Sequence, residues 1–144
     1  MENSVTAKRY AASIEERNLQ ATAQLLHPDV EVHYPQSGEF FKGKDNYLAM
    51  LSNYPSGLPE GSFPVVSGEK ASVHVTSPLP FGMQIVTVAG SGNLFVIEGT
   101  ANYDDGNSYN IAVILNMDDG LVARETWYWG SPFPAPRWRE PFAE

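Results

Sequence analysis

The chain has 144 residues, of which 42% are apolar and 12% aromatic, and it contains no cysteine. This length fits a single domain over residues 1–144, because single domains most often have about 100–150 residues. Seventeen acidic against nine basic residues give a formal net charge of −8, which disfavours nucleic acid as a partner. The absence of cysteine excludes disulfides, thiol nucleophiles and thiolate metal centres.

Neither a membrane anchor nor a secretion signal is predicted. No segment approaches the roughly 20 consecutive apolar residues that a membrane-spanning helix needs. The first residues, MENSVTAKRYAAS, lack both a basic region and an apolar core. We therefore expect a cytoplasmic protein with no membrane partner.

The first third of the sequence predicts three helices and a strand. A helix over 4–17 is indicated by apolar residues at i, i+3, i+4 and i+7: Ala7, Tyr10, Ala11 and Ile14. A second short helix is capped by Asn18 and ended by Pro28, and a third runs over about 44–54. Alternation of apolar and polar residues over 30–35 predicts the strand.

The rest of the sequence predicts mostly strands. They cover residues 71–76, 83–89, 93–103, 107–117 and 121–129, and they are separated by the turn sequences GSG, DDG and DDG. Residues 131–144 contain four prolines and predict an irregular C-terminal tail. Helices followed by a meander indicate an α+β fold, with three N-terminal helices packed on a mixed, mostly antiparallel sheet.

Both faces of the predicted sheet carry apolar residues. One face holds Ile97, Ile111, Val113, Leu115 and Trp127, and the other holds Val96, Ala112, Ile114, Val122 and Tyr128. Three helices cannot cover both faces of a large sheet. A homodimer through the second face is therefore expected.

The order of these elements, with LLHPDVEVHYP after the second helix and DDGLVARETWYW at the last strand, resembles the nuclear-transport-factor-2-like superfamily. Within it, the sequence is most similar to the SnoaL-like group of polyketide cyclases. The resemblance spans nearly the whole chain. It implies a strongly curved sheet and a cone-shaped, aromatic-lined cavity, in a superfamily that includes isomerases, cyclases and non-catalytic binding modules.

The resemblance also implies roles for individual residues. Ketosteroid-isomerase-like members have a tyrosine in the first helix that donates a hydrogen bond to the substrate oxyanion, and Tyr10 lies at the matching position. Their general-base aspartate and second donor match Tyr34 and Val113. The acid of the last strand in SnoaL-like relatives matches Trp127. Tyr34 could donate its phenol proton to a substrate carbonyl beside Tyr10.

Glu125 is the best remaining candidate for proton transfer. Alternation along the last strand puts it on the same face as Trp127 and Trp129, and burial beside indoles raises a carboxyl pKa towards the range useful for acid–base catalysis. The alternative is that this face points outward, with Glu125 paired to arginine or water.

His33 is a second candidate base, because its ordinary pKa is about 6.5. The alternative is a half-exposed histidine on the outer face of its strand. The three histidines show no pair at helical spacing and no HExxH motif, so no metal site is predicted. Neither a metal nor an organic cofactor is expected.

Further aromatic residues are candidates for the binding surface. Tyr47 and Phe41 are expected to line the cavity, although tyrosines at helical spacing also commonly pack with an exposed hydroxyl. Phe41, Phe133 and Trp138 are candidates to close its mouth. The function predicted from the sequence is a small cofactor-independent cyclase or isomerase that acts on an apolar or aromatic carbonyl compound. The alternatives are a non-catalytic small-molecule-binding module of the same fold and an assembly domain.

Overall fold

The computed structural model describes residues 1–53, 81–103 and 106–144. The helices in these ranges are α1 (Asn3–Glu15), α2 (Leu19–Gln24) and α3 (Lys44–Ser52), and a 3₁₀ helix covers Arg137–Phe142. The strands are β1 (Leu26–Tyr34), β2 (Glu39–Lys42), β3 (Phe81–Ser91), β4 (Leu94–Tyr103), β5 (Ser108–Asp118) and β6 (Leu121–Gly130). The predicted strand over 71–76, which contains His74, lies outside the described residues. Tyr54 and residues 104–105 also lie outside them.

The six strands form one sheet in the order β2-β1-β6-β5-β4-β3. Only the β1–β6 pair within it is parallel, and the other neighbours are antiparallel. The predicted α+β class, with helices on a mixed and mostly antiparallel sheet, is confirmed. None of the described helices is long and apolar enough to cross a membrane.

Besides shifts of one or two residues at the ends of elements, the structure differs from the prediction in three features. The first strand begins at Leu26 rather than residue 30, because Leu26 already pairs with Val122 of β6. Strand β2 was not predicted, and it exists because residues 39–42 pair with β1. The C-terminal tail is not wholly irregular, since Arg137–Phe142 forms the 3₁₀ helix.

Helix α1 packs across the sheet and α3 packs against β1 and β2. The core between these layers consists of inward side chains at alternate strand positions, including Ile97, Val113 and Leu115, each fully buried. A buried hydroxyl ties helix to sheet at one end, where Thr6 Oγ1 donates to the Gly120 carbonyl at 2.6 Å. The prediction that Ile97, Ile111, Val113, Leu115 and Trp127 share the covered face is confirmed.

The predicted distribution of residues between the two faces of the sheet is wrong for Val122. It was assigned to the second face by alternation, but it is fully buried in the core. The register between β5 and β6 shifts where Asn116 pairs with Arg124 and Met117 pairs with Val122. This β-bulge leaves Ala123 as an extra residue in β6, so the alternation reverses on crossing it.

Candidate functional site

Glu125 lies at the centre of the covered face and is fully buried. Strand β6 runs between β1 and β5, and the residues paired with Glu125 on either side are Val32 and Leu115. Both of these residues are also fully buried. The carboxyl group is therefore flanked by aliphatic side chains within the sheet, and its polar contacts come from elsewhere.

Three donors converge on one oxygen of this carboxyl group. Tyr10 of α1 and the indole of Trp127 each donate a hydrogen bond to Glu125 Oε1 at 2.7 Å. Tyr47 of α3 donates to the same atom at 3.5 Å. The second oxygen, Oε2, is buried and has no hydrogen-bond partner among the described residues. One oxygen is thus held in place by three donors, while the other accepts no hydrogen bond from the described residues.

Burial dominates the acidity of this group. It raises the pKa of Glu125 from 4.5 to about 6, against the lowering effect of the hydrogen bonds from Trp127, Tyr10 and Tyr47. No cation of the described chain is among the groups that shift this pKa. Glu125 is consequently a stronger base than an exposed carboxylate and is still largely ionised at pH 7.

The neighbouring phenols stay protonated at neutral pH. Burial raises the pKa of Tyr10 and Tyr47 well above 10, and the charge of Glu125 raises both further. Burial likewise raises the pKa of Tyr34, which a hydrogen bond with Tyr47 partly offsets. All three hydroxyls therefore act as hydrogen-bond donors and not as bases.

Five aromatic side chains beside Glu125 contact one another in sequence and form an aromatic wall. We define this wall as the five side chains of Trp127, Trp129, Tyr34, Phe41 and Tyr47. Successive ring centroids along it are 5.6, 4.7, 5.0 and 6.2 Å apart. Its first and last members both donate to Glu125, so the wall closes on the carboxyl group.

The wall carries a second buried polar atom without a partner. Trp129 Nε1 is buried and makes no hydrogen bond to the described residues. The backbone amide of the same residue donates to the Gln36 side chain, which anchors the end of β6 to the turn after β1. A buried N–H without an acceptor costs about 1–3 kcal/mol. A ligand oxygen would remove this cost.

The structure brings most of the sequence candidates together. Residues Tyr10, Tyr34, Tyr47, Phe41, Trp127, Trp129 and Glu125 form this one cluster, and Val113 is the residue paired with Trp127 on β5. The outward alternative for Glu125 is wrong, and so is an exposed hydroxyl for Tyr47, because both residues are buried.

His33 is not part of this cluster. It pairs with Thr126 on β6, one position away from the Glu125 level and therefore on the opposite face of the sheet. Its ring lies 5.7 Å from that of Phe40, which is an exposed residue of β2. His33 thus corresponds to the outer-face alternative.

Sequence reasoning did not identify Tyr103 as a neighbour of the site. Its charge would raise the pKa of Tyr34, and its ring packs edge-on against Tyr109 at 5.5 Å. A tyrosine at the end of one strand facing another across a hairpin was the available signal. Among the described residues, no group of three or more His, Asp or Glu side chains is arranged to hold a metal ion.

Comparisons with known proteins place the fold. The search of curated proteins gives no significant match. The chain is similar to a solved NTF-2-like protein of unknown function from Burkholderia xenovorans LB400, with 24% identity, a TM-score of 0.74, and coverage of 98% of this chain and 92% of that one. A candidate ketosteroid isomerase from Kribbella flavida DSM 17836 has 22% identity and a TM-score of 0.72, with 97% and 86% covered.

A third solved structure is a candidate polyketide cyclase from Sinorhizobium meliloti. It has 11% identity and a TM-score of 0.61, with 89% of this chain and all of that chain covered. At these identities the likeness concerns the fold. The model of the SnoaL-like domain matches residues 7–125 of the sequence. The chain therefore belongs to the SnoaL-like family, as the motifs of its sequence predicted.

Proposed function

We propose that the protein is a cofactor-independent enzyme of the cyclase or isomerase kind, which moves a proton on an apolar or aromatic carbonyl compound. The observation that carries the proposal is Glu125, a fully buried carboxylate with three donors on Oε1 and none on Oε2. A general base works best with a pKa near the working pH, and burial raises that of Glu125 to about 6.

In the proposed reaction Oε2 removes a proton from the carbon next to the substrate carbonyl. The C–H electron pair moves into the new C=C bond, and the carbonyl π pair moves onto oxygen to form an enolate. Where the substrate carries a C=C bond in the β,γ position, the resulting dienolate regains the proton from Oε2 at its γ-carbon as the double bond moves into conjugation, which is isomerisation. Otherwise the α-carbon of the enolate attacks a second carbonyl of the same molecule, which is cyclisation. In the second case the proton on Oε2 returns to the resulting alkoxide.

We assign each hydrogen-bond donor a role according to whether it already has an acceptor among the described residues. Tyr10 already donates to Glu125, so we assign it the role of positioning the base rather than binding the substrate oxygen. Trp129 Nε1 has no acceptor among the described residues and is our candidate donor to the enolate oxygen, with Tyr34 beside it. The rings of Phe41 and Trp127 offer apolar contact to a flat substrate.

Hydrogen exchange at carbon tests this proposal without knowledge of the natural substrate. The protein is incubated in D₂O with 1-tetralone, 2-tetralone and 1-indanone, and deuterium next to the carbonyl is followed by NMR above the buffer rate. We expect exchange that rises with pH through about 6, as Glu125 ionises. Glu125→Gln should slow it by about 100-fold or more.

The matched control is Glu16→Gln, which makes the same chemical change at an exposed residue after α1. It should leave the exchange rate unaltered. Exchange that is equally fast in the Glu125→Gln variant would overturn the role of this residue.

A non-catalytic binding module is the second candidate. It is favoured by the tyrosine, valine and tryptophan at positions 34, 113 and 127, where the resemblance leads one to expect carboxylates. In that case ketones of the panel would raise the melting temperature and be recovered without deuterium. Trp129→Phe would then weaken binding, while Glu125→Gln would have no rate to lower.

A further inference from the structure

The carboxyl group of Glu125 is buried without a cationic partner among the described residues. Its hydrogen bonds come from Trp127, Tyr10 and Tyr47, which are all neutral donors. A carboxylate inside a protein is ordinarily paired with a cation or a metal ion, because an isolated buried charge is costly. A cationic ligand would supply the partner that the described chain does not.

The second oxygen of Glu125 is the atom that such a ligand would contact. Three donors occupy Oε1, whereas Oε2 is buried and accepts no hydrogen bond from the described residues. An ammonium group has three N–H donors and no acceptor, so it suits an oxygen that can only accept. Hydrogen bonds between ionised groups are also about twice as strong as those between neutral groups.

The aromatic wall beside Glu125 favours an organic cation over a metal ion. Aromatic rings attract cations to their faces and pack against flat apolar groups. A metal ion would need several ligands, and the described residues contain no group of three or more His, Asp or Glu side chains arranged to hold one. The ligand indicated by these surroundings is an ammonium group attached to a flat ring.

The charge of the whole chain acts in the same direction. A formal net charge of −8 attracts cations and repels anions. This long-range attraction does not by itself distinguish one amine from another. Selectivity would come from the short contact with Glu125 and from the rings around it.

We propose that the Glu125 site binds a protonated organic amine, whose ammonium group donates to Oε2 and whose ring packs against the aromatic wall. Such a ligand occupies the oxygen to which we assign the role of base, so it competes with a carbonyl substrate and is not itself converted. The proposal requires no turnover, and it can therefore hold or fail independently of the proposed reaction.

Three ligands with one ring system and different charges test the proposal. They are 2-aminoindane, indan-2-ol and indane-2-carboxylate, and an alkylamine stays protonated below about pH 10. Isothermal titration calorimetry at pH 7.5 should show that the amine binds at least about tenfold more tightly than the alcohol and that the carboxylate does not bind. Equal affinities for the amine and the alcohol would overturn the proposal.

The Glu125→Gln variant keeps the shape of the side chain and removes its charge. It should bind the amine at least about tenfold more weakly and bind the alcohol with nearly unaltered affinity. Glu16→Gln removes a charge from an exposed position and should leave both affinities unchanged. If the amine binds equally well to the Glu125→Gln variant, its site is elsewhere on the acidic surface and the proposal is wrong.

The pH dependence of binding tests the same contact in the wild-type protein. Tyr10, Tyr34 and Tyr47 face Glu125 from α1, β1 and α3, and burial keeps all three protonated. Glu125 is thus the member of this cluster that changes charge between pH 5 and pH 7.5. The affinity for 2-aminoindane should fall by about tenfold at pH 5, where about a tenth of the carboxyl groups are ionised. An affinity that does not change with pH would contradict the proposal.

Competition with a ketone separates this site from the proposed reaction. 2-Aminoindane should slow the deuterium exchange of 1-indanone by the wild-type protein. If the ketone exchanges and a saturating concentration of the amine does not slow it, the amine site is wrong and the proposed reaction stands. If the amine binds through Glu125 and no ketone exchanges, the proposed reaction is wrong and the amine site stands.

Discussion

Glu125 combines an apolar location with an unequal set of hydrogen bonds. Val32 and Leu115 flank it within the sheet, while Tyr10, Tyr47 and Trp127 all donate to Oε1. The donors stabilise negative charge on one oxygen, and burial opposes that charge. The result is a carboxylate whose pKa lies near 6 and whose second oxygen faces no donor of the described chain.

Removing single donors should raise the Glu125 pKa in an order set by distance. Trp127→Phe and Tyr10→Phe each remove a hydrogen bond of 2.7 Å and should raise it clearly above 6. Tyr47→Phe removes the 3.5 Å contact and serves as the matched control with a smaller effect. Titration of ¹³C-labelled glutamate by NMR measures each pKa. A larger change in the Tyr47 variant would contradict this geometry.

The raised pKa also makes stability depend on pH. The folded-state pKa of about 6 lies above the ordinary carboxyl value of 4.5, so folding disfavours the charged form of Glu125. The stabilising effect of the neutral group is complete below pH 4.5 and is lost as pH rises through about 6. That difference amounts to ~2 kcal/mol at 1.36 kcal/mol per pH unit.

The Glu125→Gln variant cannot ionise at this position, so it should not lose stability in this way as the pH rises. The free energy of unfolding of the wild type relative to the variant should therefore fall by ~2 kcal/mol between pH 4 and pH 7. Urea denaturation at both pH values measures it. If the difference in free energy of unfolding is the same at both pH values, ionisation of Glu125 does not destabilise the folded protein.

At the scale of elements, β6 does most to build the site. Its position between β1 and β5 gives every inward side chain two neighbours, and the bulge after Val122 lets both Val122 and Glu125 face the helices. The turn that precedes it is anchored to α1, because Asn3 accepts from the Gly120 amide at 2.9 Å and Thr6 donates to its carbonyl.

Gly120→Ala should therefore destabilise the fold more than an ordinary glycine substitution in a turn. Gly120 has φ +82°, and a Cβ there would lie 2.3 Å from the Met1 carbonyl oxygen. Gly92→Ala is the matched control, since it has φ +62° and open space around the Cβ. Thermal denaturation should show a loss for Gly120→Ala that exceeds that for Gly92→Ala by about 1–2 kcal/mol. Equal losses would mean that the contact with Met1 does not matter.

Alternation of apolar and polar residues along the chain explains which strands could be predicted. Strands β4, β5 and β6 are predicted to within two residues, because each alternates over about ten residues and is bordered by a glycine-containing turn sequence. The four residues of β2 carry no such pattern of their own, and their strand conformation comes from pairing with β1. The bulge in β6 likewise follows from register with β5, which no local pattern encodes.

At the scale of the whole molecule, the order of strands separates a stable centre from exposed edges. β1, β6 and β5 each have neighbours on both sides and carry the buried residues around Glu125, whereas β2 and β3 lie at the edges. The tail is joined to this body only after Gly130, and its aromatic side chains remain exposed in a single chain.

Hydrogen–deuterium exchange should follow this arrangement. Amides of β5 and β6 should exchange slowest, and those of β2 faster, because edge strands open without breaking the sheet. Amides of the 3₁₀ helix should also exchange quickly, because none of its residues is buried. Mass spectrometry after timed labelling in D₂O measures these rates. Slower exchange in β2 than in β5 and β6 would contradict this division between centre and edges.

Helical spacing, alternation and turn sequences are local properties, so the class of fold, the family and the candidate residues could be predicted without coordinates. The contacts between those residues depend instead on how the elements pack. Tyr10, Tyr47 and Glu125 are separated by dozens of positions, and their shared hydrogen-bond geometry depends on how α1 and α3 cross the sheet. That Glu125 Oε2 and Trp129 Nε1 have no hydrogen-bond partner among the described residues is likewise seen only in three dimensions, because burial and hydrogen bonding are properties of the packed chain.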